Sequence, residues 1–90
     1  MHAEKIRTAV RRSLRKVFDM DHSPSNTDSL AFDLYAEPVD LKDLSRVLAE
    51  DHNLFLDENI MIGILDSQPE QLTLETLYRH LLHSNQGLAT

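Results

Sequence analysis

A stripe of apolar side chains at helical spacing runs through the first eighteen residues and restricts that segment to one kind of element. The stripe consists of Ile6, Val10, Leu14, Val17 and Phe18. Steps of three and four residues keep side chains on one face of an α-helix, which completes a turn every ~3.6 residues. The pattern predicts a first helix over residues 3–18, with the charged side chains on its remaining faces.

Three further segments predict helices with identifiable starts. Pro38 suits the first position of a second helix, because a proline there loses no hydrogen bond and has its φ angle already set. Asp57 can cap a short third helix and Thr73 a fourth. The side chains expected to face inward are Leu41, Leu44, Val47 and Leu48 in the second helix, Ile60, Met61, Ile64 and Leu65 in the third, and Leu74, Leu77, Tyr78, Leu81 and Leu82 in the fourth.

The segments between these helices are polar or short. Residues 19–27 are rich in Asp, Ser and Asn and predict a loop, whereas 28–35 fits either a short helical turn or an extended anchor over the core. Residues 66–71 predict a turn, and the tail 84–90 is expected to fray. The chain therefore predicts one all-α domain over residues 1–90, with a helical core at about 4–82.

Charge is distributed unevenly along the chain. The net charge is −6, yet residues 1–18 hold six of the nine basic side chains and one acid. Residues 19–90 hold 14 acids and three bases, which argues against contact with a nucleic-acid backbone by that part. We expect a basic protein surface as its partner and no nucleic acid.

Several classes of protein are disfavoured by what the sequence lacks. There is no cysteine, and therefore no disulfide, thiolate nucleophile or zinc–thiolate site. No apolar run reaches the ~20 residues of a membrane span, and the basic first residues are not followed by the apolar stretch of a signal peptide. We therefore expect a cytoplasmic protein.

The order of these elements resembles that of the acyl carrier proteins, which also have a long loop after the first helix and a short third helix. The segment DSLAFDL at 28–34 resembles the apolar anchor and Asp-Leu pair of the family. Residues 35–58 then follow the family pattern through the second helix without a gap, and an apparent insertion lies near 65–72. The resemblance covers about residues 4–82 and implies a small four-helix bundle of acyl-carrier-protein type.

Pro38 occupies the position that matches the modified serine of that family. It is flanked by Glu37 and Val39, where the family has an acid and a leucine. Attachment of a phosphopantetheine arm requires a hydroxyl nucleophile at the start of the helix, and proline has none. The resemblance therefore implies a carrier-like scaffold without an arm, so we expect no cofactor and no enzymatic activity, and a role in protein interaction.

The second helix is the docking helix in carrier proteins, where its acids meet basic residues of partner enzymes. By position, the resemblance implies docking residues Glu37, Asp40, Asp43, Glu50 and Asp51. Lys42 and Arg46 interrupt this acidic row. An enzyme of acyl or lipid metabolism with a basic surface is the kind of partner that the resemblance implies.

Two alternatives stay open at this point. The sequence also contains a literal Asp28-Ser29-Leu30, and in a genuine carrier protein of fatty-acid, lipid or natural-product synthesis Ser29 would hold the 4′-phosphopantetheine. A helix starting there would meet Pro38 after two turns, which disfavours this assignment. The second alternative is an anion-binding module that uses the basic helix at 1–18.

Metal sites and catalytic patterns find little support. The oxygen-bearing side chains of 19–30 follow the rhythm of a calcium loop, but Pro24 and Leu30 stand where that motif needs glycine and glutamate. His80 and His83 are three residues apart on the last helix and lack a third ligand. We therefore expect neither a metal site nor a catalytic site.

Overall fold

The computed structural model describes residues 3–22 and 24–85, which form a small bundle of four α-helices. Helix α1 spans Ala3–Val17, α2 spans Pro38–His52, α3 spans Glu58–Ser67 and α4 spans Leu74–Ser84. A single 3₁₀ turn at Pro69–Gln71 links α3 to α4. The all-α class, the long connection between the first two helices and the short third helix are confirmed.

All four helices contribute to one hydrophobic core. Ile6, Val10 and Leu14 of α1 are fully buried, whereas Val17 and Phe18 pack at its edge. The predicted inner faces of α2 and α4 are buried apart from Leu82, which is partly buried. Ala9 of α1 and Met61 of α3 also belong to the core, and the connections contribute Leu30, Ala36, Leu54, Leu56 and Leu72.

The predicted helix starts are confirmed by their caps. Pro38 is the first residue of α2. The Asp57 carboxylate accepts hydrogen bonds from the amides of Asn59 and Ile60, and the Thr73 hydroxyl accepts from the amide of Thr76. Each bond satisfies a backbone donor that the first helical turn leaves without a partner.

The long connection between α1 and α2 is held against the start of α4. The Leu30 amide donates to the Leu72 carbonyl at 2.8 Å, and the Leu74 amide donates to the Asp28 carbonyl at 3.2 Å. Ser29 and Thr73 form an isolated antiparallel bridge between these bonds. Residues 28–30 therefore lie across the bundle, and Leu30 enters the core from there.

Three expectations are corrected. Ile60 was expected to face inward, but its side chain is 46% exposed, and Met61 alone of α3 is fully buried. Helix α3 continues through Gly63 to Ser67, so part of the predicted turn at 66–71 is helical. Ser84 closes α4 and Asn85 is buried, so the tail does not fray at 84–85; residues 86–90 lie outside the described range.

Candidate functional site

The start of α2 is closed by a reciprocal pair of hydrogen bonds. The Asp40 amide donates to the Glu37 carbonyl at 2.9 Å, and the Glu37 amide donates to Asp40 Oδ2 at 2.9 Å. Pro38 lies between them as the first helical residue and presents no hydroxyl. Asp40 thus stabilises the helix start, where a carboxylate also meets the positive end of the helix dipole.

Ser29 caps a short helical turn that precedes α2. Its hydroxyl accepts a hydrogen bond from the Phe32 amide at 3.0 Å, and its own amide donates to Asp33 Oδ2 at 2.7 Å. The Asp33 amide in turn donates to the Ser29 carbonyl at 2.9 Å. Ser29 is half-buried, and its polar groups are used within the turn. Residues 28–35 combine the two conformations predicted for them, since Ser29 lies in the extended bridge to Thr73 and residues 30–33 form a turn.

This turn ends at Tyr35, whose backbone is left-handed with a φ of 56°. Asp19 and Asn53, which follow α1 and α2, have the same conformation. After both Tyr35 and Asn53 the next amide bonds back across the turn, Ala36 to Leu30 and Leu54 to Leu48. Glycine or asparagine normally occupies such a cap, since other side chains cost about 1–2 kcal/mol there. Tyr35 is therefore the unexpected residue of the three.

Three large apolar side chains are exposed within eight residues around the start of α2. The exposed fractions are 57% for Phe32, 79% for Tyr35 and 56% for Val39. Asp33 and Glu37, which alternate with them along the chain, are exposed acids. We call residues 32–39 the α2-start surface. Clustered apolar exposure of this kind marks binding surfaces more often than scattered single residues do.

The five acids predicted as docking residues do not form one continuous row. Glu37 and Glu50 are exposed, but Asp40 caps the helix. Asp43 pairs with Arg46 at 3.0 Å, and Asp51 pairs with Lys16 of α1 at 2.9 Å. Among the predicted acids, only Glu37 lies within the α2-start surface as an exposed carboxylate with no ion pair in the described chain.

The sequence pattern did not reveal the aromatic part of this surface. Phe32 and Tyr35 occur in a segment where several apolar residues alternate with polar ones, so burial was equally plausible for each. The feature that distinguishes Tyr35 in the structure is its left-handed backbone. Tyrosine gives no local signal for that conformation, whereas glycine would have indicated it.

The cations of α1 divide into paired and unpaired groups. The Arg7 guanidinium lies 4.4 Å from the centre of the Tyr78 ring, and Arg11 donates to Asn26 Oδ1 at 3.0 Å. Lys16 is paired with Asp51. Lys5, Arg12 and Arg15 are exposed and form no ion pair within residues 3–22 and 24–85.

Comparison with known proteins adds no family assignment. No family model matches the chain, and no curated protein or solved structure matches it significantly. Within the part of the chain that the structure describes, no helix is both long and apolar enough to cross a membrane. His, Asp and Glu side chains there form no group of three that could hold a metal ion.

Proposed function

We propose that this protein is a non-catalytic protein-interaction module that docks through its α2-start surface. The partner is a protein with an apolar pocket and a basic rim. The observation that carries the proposal is Tyr35, whose ring is 79% exposed at a position where the backbone disfavours a tyrosine. An exposed aromatic side chain at a backbone outlier makes little contribution to the fold and suits a role outside it.

The chemistry of the surface fits such a partner. Tyrosine supplies a large contact area with few rotatable bonds and is enriched among residues that dominate binding energy. Phe32 and Val39, three residues before and four residues after Tyr35 along the chain, add exposed apolar area. The exposed carboxylate of Glu37 would face basic residues of the partner, and Asp33, whose Oδ2 is bonded to the Ser29 amide, adds its negative charge. These charges raise the encounter rate and make it sensitive to salt.

The resemblance to acyl carrier proteins supports a docking role at the same end of α2. In that family this helix meets the partner enzymes, and here its first position is Pro38. We therefore propose a carrier-like scaffold without a phosphopantetheine arm, acting in the cytoplasm with a partner of acyl or lipid metabolism. Because the comparisons identify no family, the exposed surface carries the proposal and the resemblance only suggests the partner class.

The first experiment identifies a partner by position-specific crosslinking. A photoreactive phenylalanine analogue is placed at Tyr35 in the full chain, and in a second protein at Phe55, an exposed aromatic position in the connection between α2 and α3. We expect one protein to crosslink from position 35 and not from position 55. Equal crosslinking from both positions would indicate non-specific apolar contact and would contradict the proposal.

The second experiment measures binding of the purified partner. We expect Tyr35→Gly to weaken it about 30-fold, because a central aromatic residue contributes about 2 kcal/mol or more to binding. Phe55→Ser is the matched control and should change the affinity less than twofold. An unchanged affinity of Tyr35→Gly, with the fold intact, would rule out this surface.

A further inference from the structure

A groove of about 500 Å³ lies between α1 and the end of α2, away from the α2-start surface. One wall is formed by α1, and the other by the last residue of α2 and the connection that follows. The lining residues are Glu4, Lys5, Thr8, Ala9 and Arg12 on the first wall, and His52 and Leu54 on the second. The volume falls in the range of small-molecule sites, about 300–1,000 Å³.

The groove combines apolar contact with cations. Ala9 and Leu54 are each only 3% exposed, so the apolar contact that the groove offers comes mainly from the aliphatic parts of its other lining residues, including the stems of Lys5 and Arg12, which are exposed on the wall. These two cations are seven residues apart on α1 and therefore lie on the same helix face, two turns from each other. Neither forms an ion pair with a described carboxylate, although Lys16 of the same helix does.

The donors in the groove outnumber what a single carboxylate can accept. The guanidinium of Arg12, the ammonium of Lys5 and the hydroxyl of Thr8 can all donate hydrogen bonds. A phosphate monoester carries about −1.5 to −2 charges at neutral pH and three acceptor oxygens on its terminal phosphate. The Glu4 carboxylate opposes the two cations and reduces the attraction.

We propose that this groove binds a small phosphate monoester whose apolar part packs on the aliphatic stems of Lys5 and Arg12, beside the small exposed areas of Ala9 and Leu54. The groove is separate from the α2-start surface. Pro38 begins the 15-residue helix α2, and His52, which lines the groove, ends it. At a rise of 1.5 Å per residue the two ends are about 20 Å apart. The inference does not depend on the proposed function.

Phenyl phosphate is the test ligand, added to the full chain at constant ionic strength and followed by amide chemical shifts. We expect saturable shifts at Thr8, Ala9 and Leu54, and tighter binding than that of inorganic phosphate, which lacks the apolar ring. Arg12→Gln should weaken binding about fivefold, as expected for the loss of one solvent-exposed ion pair. Lys5→Gln should have a similar effect, and Glu4→Gln should tighten binding.

Arg15→Gln is the matched control, because Arg15 is an exposed cation of the same helix that does not line the groove. Its affinity should stay within twofold of the wild type. An equal loss in Arg15→Gln and Arg12→Gln, or shifts spread along the whole outer face of α1, would mean general attraction of anions to a basic helix and would overturn the proposal. Absence of any saturable shift would overturn it as well.

Discussion

The side-chain amide of Asn85 forms hydrogen bonds to both backbone groups of Phe55. Asn85 Oδ1 accepts from the Phe55 amide at 3.0 Å, and Asn85 Nδ2 donates to the Phe55 carbonyl at 3.0 Å. Nδ2 also donates to the Leu81 carbonyl at 2.8 Å. Asn85 is 1% exposed. One side chain thus joins the end of α4 to the connection between α2 and α3.

Asn85→Ala should therefore destabilise the protein by about 3 kcal/mol, since it removes three hydrogen bonds of a buried side chain, each worth about 1 kcal/mol. Urea unfolding followed by circular dichroism measures the loss. Ser84→Ala is the control, because Ser84 is exposed and should change stability by less than about 0.5 kcal/mol. Similar values for the two variants would show that the Asn85 bonds contribute little.

Tyr35→Gly should leave the stability unchanged or raise it by up to about 1 kcal/mol. Glycine removes the cost of the left-handed backbone, and this gain offsets the larger entropy that glycine gives the unfolded chain. Thermal unfolding measures the effect. Asn53→Gly provides the comparison, because asparagine already tolerates that conformation and should gain less. A clear loss of stability in Tyr35→Gly would mean that the ring supports the fold.

Ser13→Ala should stabilise the protein by about 1 kcal/mol. The Ser13 hydroxyl is buried without a hydrogen-bond partner in the described chain, and alanine is also the better helix former. Thr8→Ala on the exposed side of the same helix isolates the effect of helix propensity and should gain less. Chemical unfolding of both variants separates the effect of the buried hydroxyl from that of helix propensity. A destabilised Ser13→Ala would show that the Ser13 hydroxyl forms a hydrogen bond.

Incubation with coenzyme A and a broad-specificity phosphopantetheinyl transferase should leave the wild-type mass unchanged. On the proposed carrier-like scaffold, Pro38→Ser should gain the arm, because it places a hydroxyl at the start of α2. Intact-mass spectrometry reads out both proteins. A wild type that gains the arm, with Ser29→Ala abolishing the gain, would establish a working carrier modified at Ser29 and refute the loss of the site.

Asp21 should titrate at a lower pH than an ordinary aspartate. The hydrogen bond from His22, at 3.0 Å, and then its own backbone amide lower the pKa of the Asp21 carboxyl. A lowered pKa in the folded state stabilises the fold above the unfolded-state pKa, and this contribution disappears as the pH falls through the folded-state value. The chemical shift of the Asp21 carboxyl carbon, measured by NMR as the pH is lowered, tests whether the pKa of Asp21 is below that of an ordinary aspartate. His22→Gln should move the pKa of Asp21 back up; an unchanged pKa would contradict the assigned cause.

Local signals in the sequence predicted the helices and their starts. Pro38, Asp57 and Thr73 act through bonds to residues a few positions away, so the sequence around each contains the necessary information. The helical spacing of apolar residues predicted wrongly that Ile60 is buried. Helix α3 is short, and Met61 is its buried residue, so Ile60 lies outside the narrow face that packs on the core.

Other features depend on residues far apart in the chain. The clamp between Asn85 and Phe55 and the groove between α1 and Leu54 arise from tertiary packing, which no short sequence window contains. The acids that the resemblance implied for docking illustrate the same limit. Asp51 looked like one member of an acidic row, but in the fold it lies next to Lys16.

The bonds that hold residues 26–30 against the start of α4 also set the order in which the protein can mature on the ribosome. The partners of the Leu30 amide and of the Asp28 and Asn26 carbonyls are Leu72, Leu74 and Glu75. A nascent chain that has not yet exposed those residues has nothing on which to dock this loop. Release of the chain before Leu72 would leave the Leu30 amide and the Asp28 carbonyl without these partners, so such truncated products should be ready substrates for cellular proteases.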